Sequence, residues 1–388
     1  MAVAPAELYQ PQSQHLRLVE PGGVQEIGDI LGYTYIPQSK ENGCDLAGLA
    51  RLPTAYLRGL GQAASHLLHH YNIGDQSDAE WPYPHKREFD VNGHILEAHI
   101  TEANPKMVAE HEQATTQFIL LGLGEIPGVG SSYLWHMDNA IGYPDRRVVT
   151  LSTPGMGHHT LPMRDGYNRL LEETAAEDLE VVREIAGDSP VNIVSDSLST
   201  KRAFLLSAIN LATRGESQVD IRRVKALAPA MGARNVAEEE RFTDVSADDK
   251  KFIQGETNKF YRHMPGNILH ELLARPEAVG ACTAILGAYA LSPHKLPFRA
   301  ATLAGNVRSA QEGVDWELIK EVARGHKLHI LAGADDPLAK AQKEQMQAII
   351  KQAPGTQVRI LEGYGHVLTI DGPGMVEHLT QMELDEAA

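Results

Sequence analysis

Between Val191 and Ala203 the chain reads VNIVSDSLSTKRA, with Ser195, Ser197 and Ser199 at alternate positions directly after a short apolar run. A serine hydroxyl attacks a carbonyl carbon near neutral pH only when a base lies within hydrogen-bond reach and a carboxylate orients that base. The chemistry this stretch could support is therefore acyl transfer, and it asks for an imidazole and a carboxylate elsewhere. With 18 histidines and 51 acidic residues in the chain, residue type selects neither partner, so position must. Other clusters point to other chemistry. His66, His69 and His70 fall at helical spacings that could bring imidazoles to one face for a metal, but no fourth ligand accompanies them, and a half-buried helix face accounts for the pattern. The stretch GLGEIPG has closely spaced glycines without the spacing or lysine of a phosphate-binding loop. His158 and His159 follow a Pro-Gly-Met-Gly segment and read either as pocket lining or as surface loop.

Composition narrows the partners. The formal net charge of −16 is spread along the chain, which argues against nucleic acid or anionic membrane and for small or neutral partners. Cys44 and Cys282 are far apart and outside any Cys-x-x-Cys spacing, so neither a disulfide framework nor a cysteine zinc site is indicated. The opening MAVAPAELYQPQSQ lacks a basic start followed by an apolar core, and no apolar run approaches the roughly 20 residues that span a bilayer. The expectation is a soluble, cytoplasmic protein.

The elements that must position the serines are legible as alternating strands and helices. Residues 1–45 are rich in Gln, Pro and Gly without a sustained period, and helical spacing begins at Leu46 and ends near Tyr71. GDQSDAEWPYPHK reads as a linker, and REFDVNGHILEAHITE as a hairpin around Asn92-Gly93. Unbroken apolar runs follow: FILLG at 118–122, RVVTL at 147–151, VNIV at 191–194, VKALA at 224–228, LHILA at 328–332 and VRIL at 358–361. Such runs predict strands covered on both faces, the signature of a parallel sheet between helices. Leu170, Leu171, Leu179, Val182, Ile185 and Ala186 predict a crossover helix that Gly187 ends, and Leu338, Met346, Ile349 and Ile350 predict another before Pro354-Gly355. Between VKALA and LHILA lie about 100 largely helical residues, far more than a crossover needs, which predicts a helical insertion over one end of the sheet.

Two serine-enzyme families write something close to SDSLS. The family named for Gly-Asp-Ser-Leu places its serine after the first strand and its base in a late Asp-x-x-His; here at least two strands precede the serines, and Asp371 to His378 has the wrong spacing. The chain instead resembles the α/β-hydrolases in five motifs taken in order. FILLGLGEIPG resembles the strand and loop that supply one oxyanion donor, and RVVTLSTPGMGHH the next strand and its Asp-x-Pro-Gly-x-Gly loop. VNIVSDSLS resembles the Gly-x-Ser-x-Gly nucleophile elbow, LAGADDPLAK the turn carrying the acid, and EGYGHV the segment carrying the base. The resemblance covers residues from about 87 to 388, in the chain order Ser, Asp, His.

What it implies is an α/β fold of that type: a mostly parallel sheet flanked by helices. Its core would span 86–231 and 321–388, with a helical cap over 232–320 and a partly helical N-terminal extension over 1–85. Ser197 is the implied nucleophile, since it lies three residues beyond Val194 at the tip of the turn. His366 is the implied base, and Asp336, or alternatively its neighbour Asp335, the implied acid. The backbone N–H groups of Leu123 and Leu198 are the implied oxyanion donors. The chain departs from the pattern in Ser195 and Ser199, which replace the elbow glycines, and in Leu121, which replaces the histidine before the oxyanion glycine. The implied activity is cleavage of a carboxylic ester or related small-molecule acyl substrate, with no metal, organic cofactor or nucleic acid, by a chain that could self-associate through its N-terminal extension. The same residues fit an acyltransferase or thioesterase, and the departures fit a binding protein that has kept the fold without turnover.

Overall fold

The computed structural model describes residues 85–102, 115–122, 147–213, 218–230, 289–290, 292–311, 316–334, 336, 350, 355–361, 366 and 382. The expected helices between 46 and 71, His66, His69 and His70, both cysteines, Leu123, Asp335 and most of the expected cap lie outside them. No helix among the described residues is long and apolar enough to cross a membrane.

Strands β1 (His85–Val91) and β2 (His94–Glu102) form the hairpin that Asn92-Gly93 predicts. Both turn residues have positive φ, 56° and 82°, as a two-residue turn matching the twist of its strands requires. The Gly93 N–H donates to Asp90 Oδ1 at 3.0 Å. β3 (Thr116–Leu120) and β4 (Arg147–Leu151) come next, then helices α1 (Met163–Asn168) and α2 (Leu171–Ala186). β5 (Val191–Asp196), α3 (Ser199–Ala212) and β6 (Ile221–Leu227) follow, then α4 (Leu296–Gln311), α5 (Trp316–Gly325), β7 (Lys327–Gly333) and β8 (Gln357–Leu361).

The eight strands form one sheet in the order β1-β2-β4-β3-β5-β6-β7-β8. The β1–β2 and β2–β4 pairs are antiparallel and all later neighbours parallel. Strand order reverses at β3, which lies between β4 and β5. In an open parallel sheet, the strands' carboxyl ends at such a reversal are where a crevice opens, because the connections depart to opposite sides. The stretch VNIVSDSLS therefore carries Ser197 to the carboxyl end of β5, next to that reversal.

On one face, Phe118, Leu120, Ile193, Val224, Ala226, Leu328 and Ile330 pack against Leu179 and Val182 of α2, Phe204 of α3, and Ile319 and Val322 of α5. The other face is divided. Toward the carboxyl ends it carries Ile119, Leu121, Val194, Leu227 and Leu331. Two residues earlier in each strand stand Gln117, Asn192, Lys225 and His329, all buried. Gln117 and Asn192 are register partners, as are Lys225 and His329, and Lys225 Nζ donates to Gln117 Oε1 at 3.3 Å. The runs that read as uninterrupted apolar strands thus conceal a polar row. Period-two geometry gathers onto one face residues that in sequence look like isolated interruptions.

Helix α4 crosses α1 closely. A Cβ on Gly305 would lie 2.8 Å from the Tyr167 carbonyl oxygen and closer still to that of Gly166. Backbone cannot yield as a side-chain tip can, so Gly305→Ala is expected to cost about 1–3 kcal/mol, read as a lower urea midpoint.

Candidate active site

β5 ends at Asp196 and α3 begins at Ser199, leaving two residues to turn the chain from strand into helix. That tight reversal puts Ser197 in the left-handed region, at φ 51°, with no glycine to relieve it. For a residue with a Cβ such a conformation costs of order 1–3 kcal/mol, and it persists only where surrounding bonds over-determine it. Those bonds are present. The Ser197 N–H donates to the Leu227 carbonyl of β6 at 2.9 Å, and its own carbonyl accepts from the N–H groups of Thr200 at 3.2 Å and Ala230 at 3.1 Å.

The hydroxyl thus presented meets His366, whose Nε2 lies 2.7 Å from Ser197 Oγ across 169 positions of sequence. On the other side of the ring, Nδ1 lies 2.9 Å from Oδ2 of the buried Asp336, in the turn after β7, where the Asp336 N–H donates to the Gly333 carbonyl at 3.2 Å. A carboxylate accepts only, so Nδ1 carries the proton and Nε2 is left to accept the serine O–H. The three side chains predicted from the sequence are thereby one hydrogen-bonded line, built at the carboxyl ends of β5 and β7 and beyond β8. Leu198 is the N-cap residue of α3, so its amide opens the helix directly beyond the hydroxyl. Leu121 and Gly122 are buried just past the end of β3.

The serines in place of the elbow glycines have partners of their own. Ser195, the penultimate residue of β5, donates Oγ–H to the Lys225 carbonyl at 3.3 Å. Ser199 is the first residue of α3, and its Oγ accepts the Asp196 N–H at 2.8 Å. Neither caps the helix, because the N-cap is Leu198 and lacks a side-chain cap bond.

Sequence motifs did not reveal the groups that hold the loop after β4. Arg202, on α3 and 1% exposed, is paired through Nε and Nη2 with the two carboxylate oxygens of Asp178 on α2, itself 0% exposed. It also donates to the Ser152 carbonyl and Thr153 Oγ1, each at 3.1 Å, where the loop leaves the strand. At the far end Glu97 Oε1 accepts the His159 N–H at 3.0 Å, and a Cβ at Gly157 would run into the Glu97 carboxylate. From the 3-10 turn just before α4, Lys295 Nζ donates to the His158 carbonyl at 2.8 Å, and from α4 Arg299 Nη2 donates to that of Gly157 at 2.9 Å. His158 and His159 therefore belong to a docking contact with the hairpin and α4, where His159 Nε2 also meets Glu88 Oε1 at 3.2 Å.

Burial by itself would raise the Glu97 carboxyl. His99, with Nε2 3.9 Å from Oε2, together with His158 and the His159 N–H outweighs that and holds it down to about 2. A carboxyl depressed from 4.5 on folding stabilises the native state above its unfolded value, and that contribution disappears as pH falls from 4.5 to about 2. Glu97→Gln is thus expected to lower the urea midpoint at neutral pH and to flatten its decline between about pH 5 and pH 2. An unchanged acid limb in the variant would count against the assignment.

No family model matches this sequence, and no curated protein matches it. Solved structures do. A serine hydrolase involved in carbazole degradation aligns over 78% of this chain and 99% of its own at 15% identity, with a TM-score of 0.52. The Cif epoxide hydrolase from Acinetobacter nosocomialis aligns over 90% of this chain and 99% of its own at 17% identity and TM-score 0.53. A membrane phospholipase A, described as a bacterial virulence factor, aligns over 88% and 98% at 16% identity and TM-score 0.51. At these identities the likeness is one of fold.

Proposed function

We propose that this chain, which has the α/β-hydrolase fold, is a serine hydrolase that cleaves a carboxylic ester or related acyl compound through an acyl-enzyme on Ser197. The observation that carries this reading is the line Ser197–His366–Asp336, joined at 2.7 and 2.9 Å by groups far apart in sequence. The names of the neighbours, a serine hydrolase and a phospholipase among them, support hydrolysis as the general class.

In the reaction His366 Nε2 takes the Ser197 proton as Oγ attacks the acyl carbon, and Asp336 holds the ring and stabilises the imidazolium. Negative charge gathers on the carbonyl oxygen of the tetrahedral intermediate, where the amides of Leu198 and Leu123 would receive it. His366 then hands its proton to the departing alcohol, leaving the acyl group on Ser197. Water repeats the sequence with His366 as base, releasing acid and restoring the hydroxyl. No step asks for a metal or organic cofactor. Residues 232–320 would cap the mouth of the crevice and shape it for the acyl group.

Exposure to a fluorophosphonate probe is the direct test. Native protein is expected to be labelled and to cleave a short activated ester, whereas folded Ser197→Ala should do neither. Native protein that resists the probe and leaves such esters intact would overturn the reading.

A further inference from the structure

Ser199 occupies the position at which the elbow's second small residue is expected, and its hydroxyl is built into the sheet. Oγ accepts the Asp196 N–H at 2.8 Å and lies 2.7 Å from the Leu120 carbonyl oxygen and 2.8 Å from that of Asp196. It has one proton to donate, and the Leu120 oxygen is the nearer acceptor. Leu120 is the last residue of β3 and the register partner of Ser195 in the parallel β3–β5 pair. In a parallel ladder each residue bonds to those flanking its partner. The next rung would therefore join the Asp196 N–H directly to the Leu120 carbonyl. The Ser199 hydroxyl lies at that rung as a bridge, accepting from β5 and donating to β3, at 3% exposure.

We infer that Ser199 is a positioning residue for the oxyanion-binding side of the site, an inference that rests on the hydrolase reading above. Its hydroxyl sets the spacing between the elbow, which carries Leu198, and the Leu121-Gly122 segment that leaves β3 toward Leu123. Glycine at this position supplies no group to span the rung. Alanine likewise removes the bridge, so the elbow and the end of β3 lose a bond that fixes their separation in a dry interior. Donors act on a developing oxyanion only when held at hydrogen-bond distance from where it forms, so a small change in spacing weakens the transition state more than the bound substrate.

The test compares native protein with Ser199→Ala, Ser199→Gly and Ser199→Thr, following ester turnover, urea midpoint and affinity for a trifluoromethyl ketone, which forms an oxyanion on Ser197. Alanine and glycine are expected to lower kcat about 10- to 100-fold with KM within about twofold. Ketone affinity should fall in parallel, and threonine, which keeps the hydroxyl, should recover most of both losses. A purely structural role would lower the urea midpoint while leaving kcat and ketone affinity together near native values. Folded alanine and glycine variants with kcat within about twofold of native overturn the inference, as does a kcat loss without weaker ketone binding. If the probe labels Ser197 in all four proteins at the same rate, only the role of Ser199 falls; if native Ser197 is not labelled, the hydrolase reading falls with it.

Discussion

Ser197→Ala is expected to lower kcat on a short activated ester by at least about 10⁴-fold, because a relay of this kind acts as a unit and loses most of its effect with its first member. His366→Ala should do nearly the same, and the double variant little worse than either, since an unactivated hydroxyl and a base without a nucleophile are equally idle. Stability is expected to move the other way. Ser197 holds a left-handed conformation, φ 51°, that only glycine adopts without cost. Ser197→Gly should therefore raise the urea midpoint while abolishing turnover, by about 1 kcal/mol. A variant inactive and also destabilised would mean that the turn is not under strain.

The second large effect concerns stability alone. Arg202 and Asp178 are at most 1% exposed, and burial alone pushes the Asp178 carboxyl up, so the Arg202 guanidinium is what keeps its charge tolerable. Removing either partner leaves the other charged and dry. Arg202→Ala or Asp178→Ala is expected to cost about 3–5 kcal/mol, seen in urea or thermal unfolding. The paired replacement Arg202→Met with Asp178→Leu should recover most of that loss, because it removes both charges together. Arg202 also holds the Ser152 carbonyl and Thr153 Oγ1. The double variant should therefore regain stability without regaining full activity, its loop after β4 being less firmly held.

Much of this architecture was legible in the sequence because it depends on local chemistry. Asn92-Gly93 specifies its hairpin through positive φ, and the apolar spacing up to Gly187 specifies α2 to within a residue. Strand edges were less legible where polar letters intervene. β6 begins at Ile221, ahead of the expected start at Val224, because Arg222 and Arg223 interrupt the apolar run without interrupting the ladder. Ser197, Asp336 and His366 are singled out by the order of motifs, and their side chains lie within hydrogen-bond distance of one another in the structure. Glu97, Arg202 and Asp178 have no such signature. Glu97 meets the His159 amide across 62 positions and Arg202 meets Thr153 across 49, distances that only the assembled sheet brings together. Ser199 was noticed as a substitution for glycine, but its bond to Leu120 depends on the separation of β3 and β5, which no local pattern encodes.

The 169-residue span between Ser197 and His366 also bears on when reactivity arises. During synthesis the elbow emerges long before the base, and β8, which also precedes His366, is the last of the described strands to be made. Contacts of such long range form late, after the loop-closure entropy has been met. On the proposed mechanism, a nascent or half-folded chain therefore holds an inert serine. On the same mechanism, the growth of probe labelling in a refolding experiment is expected to follow the docking of β8 and His366 rather than the earlier formation of the elbow.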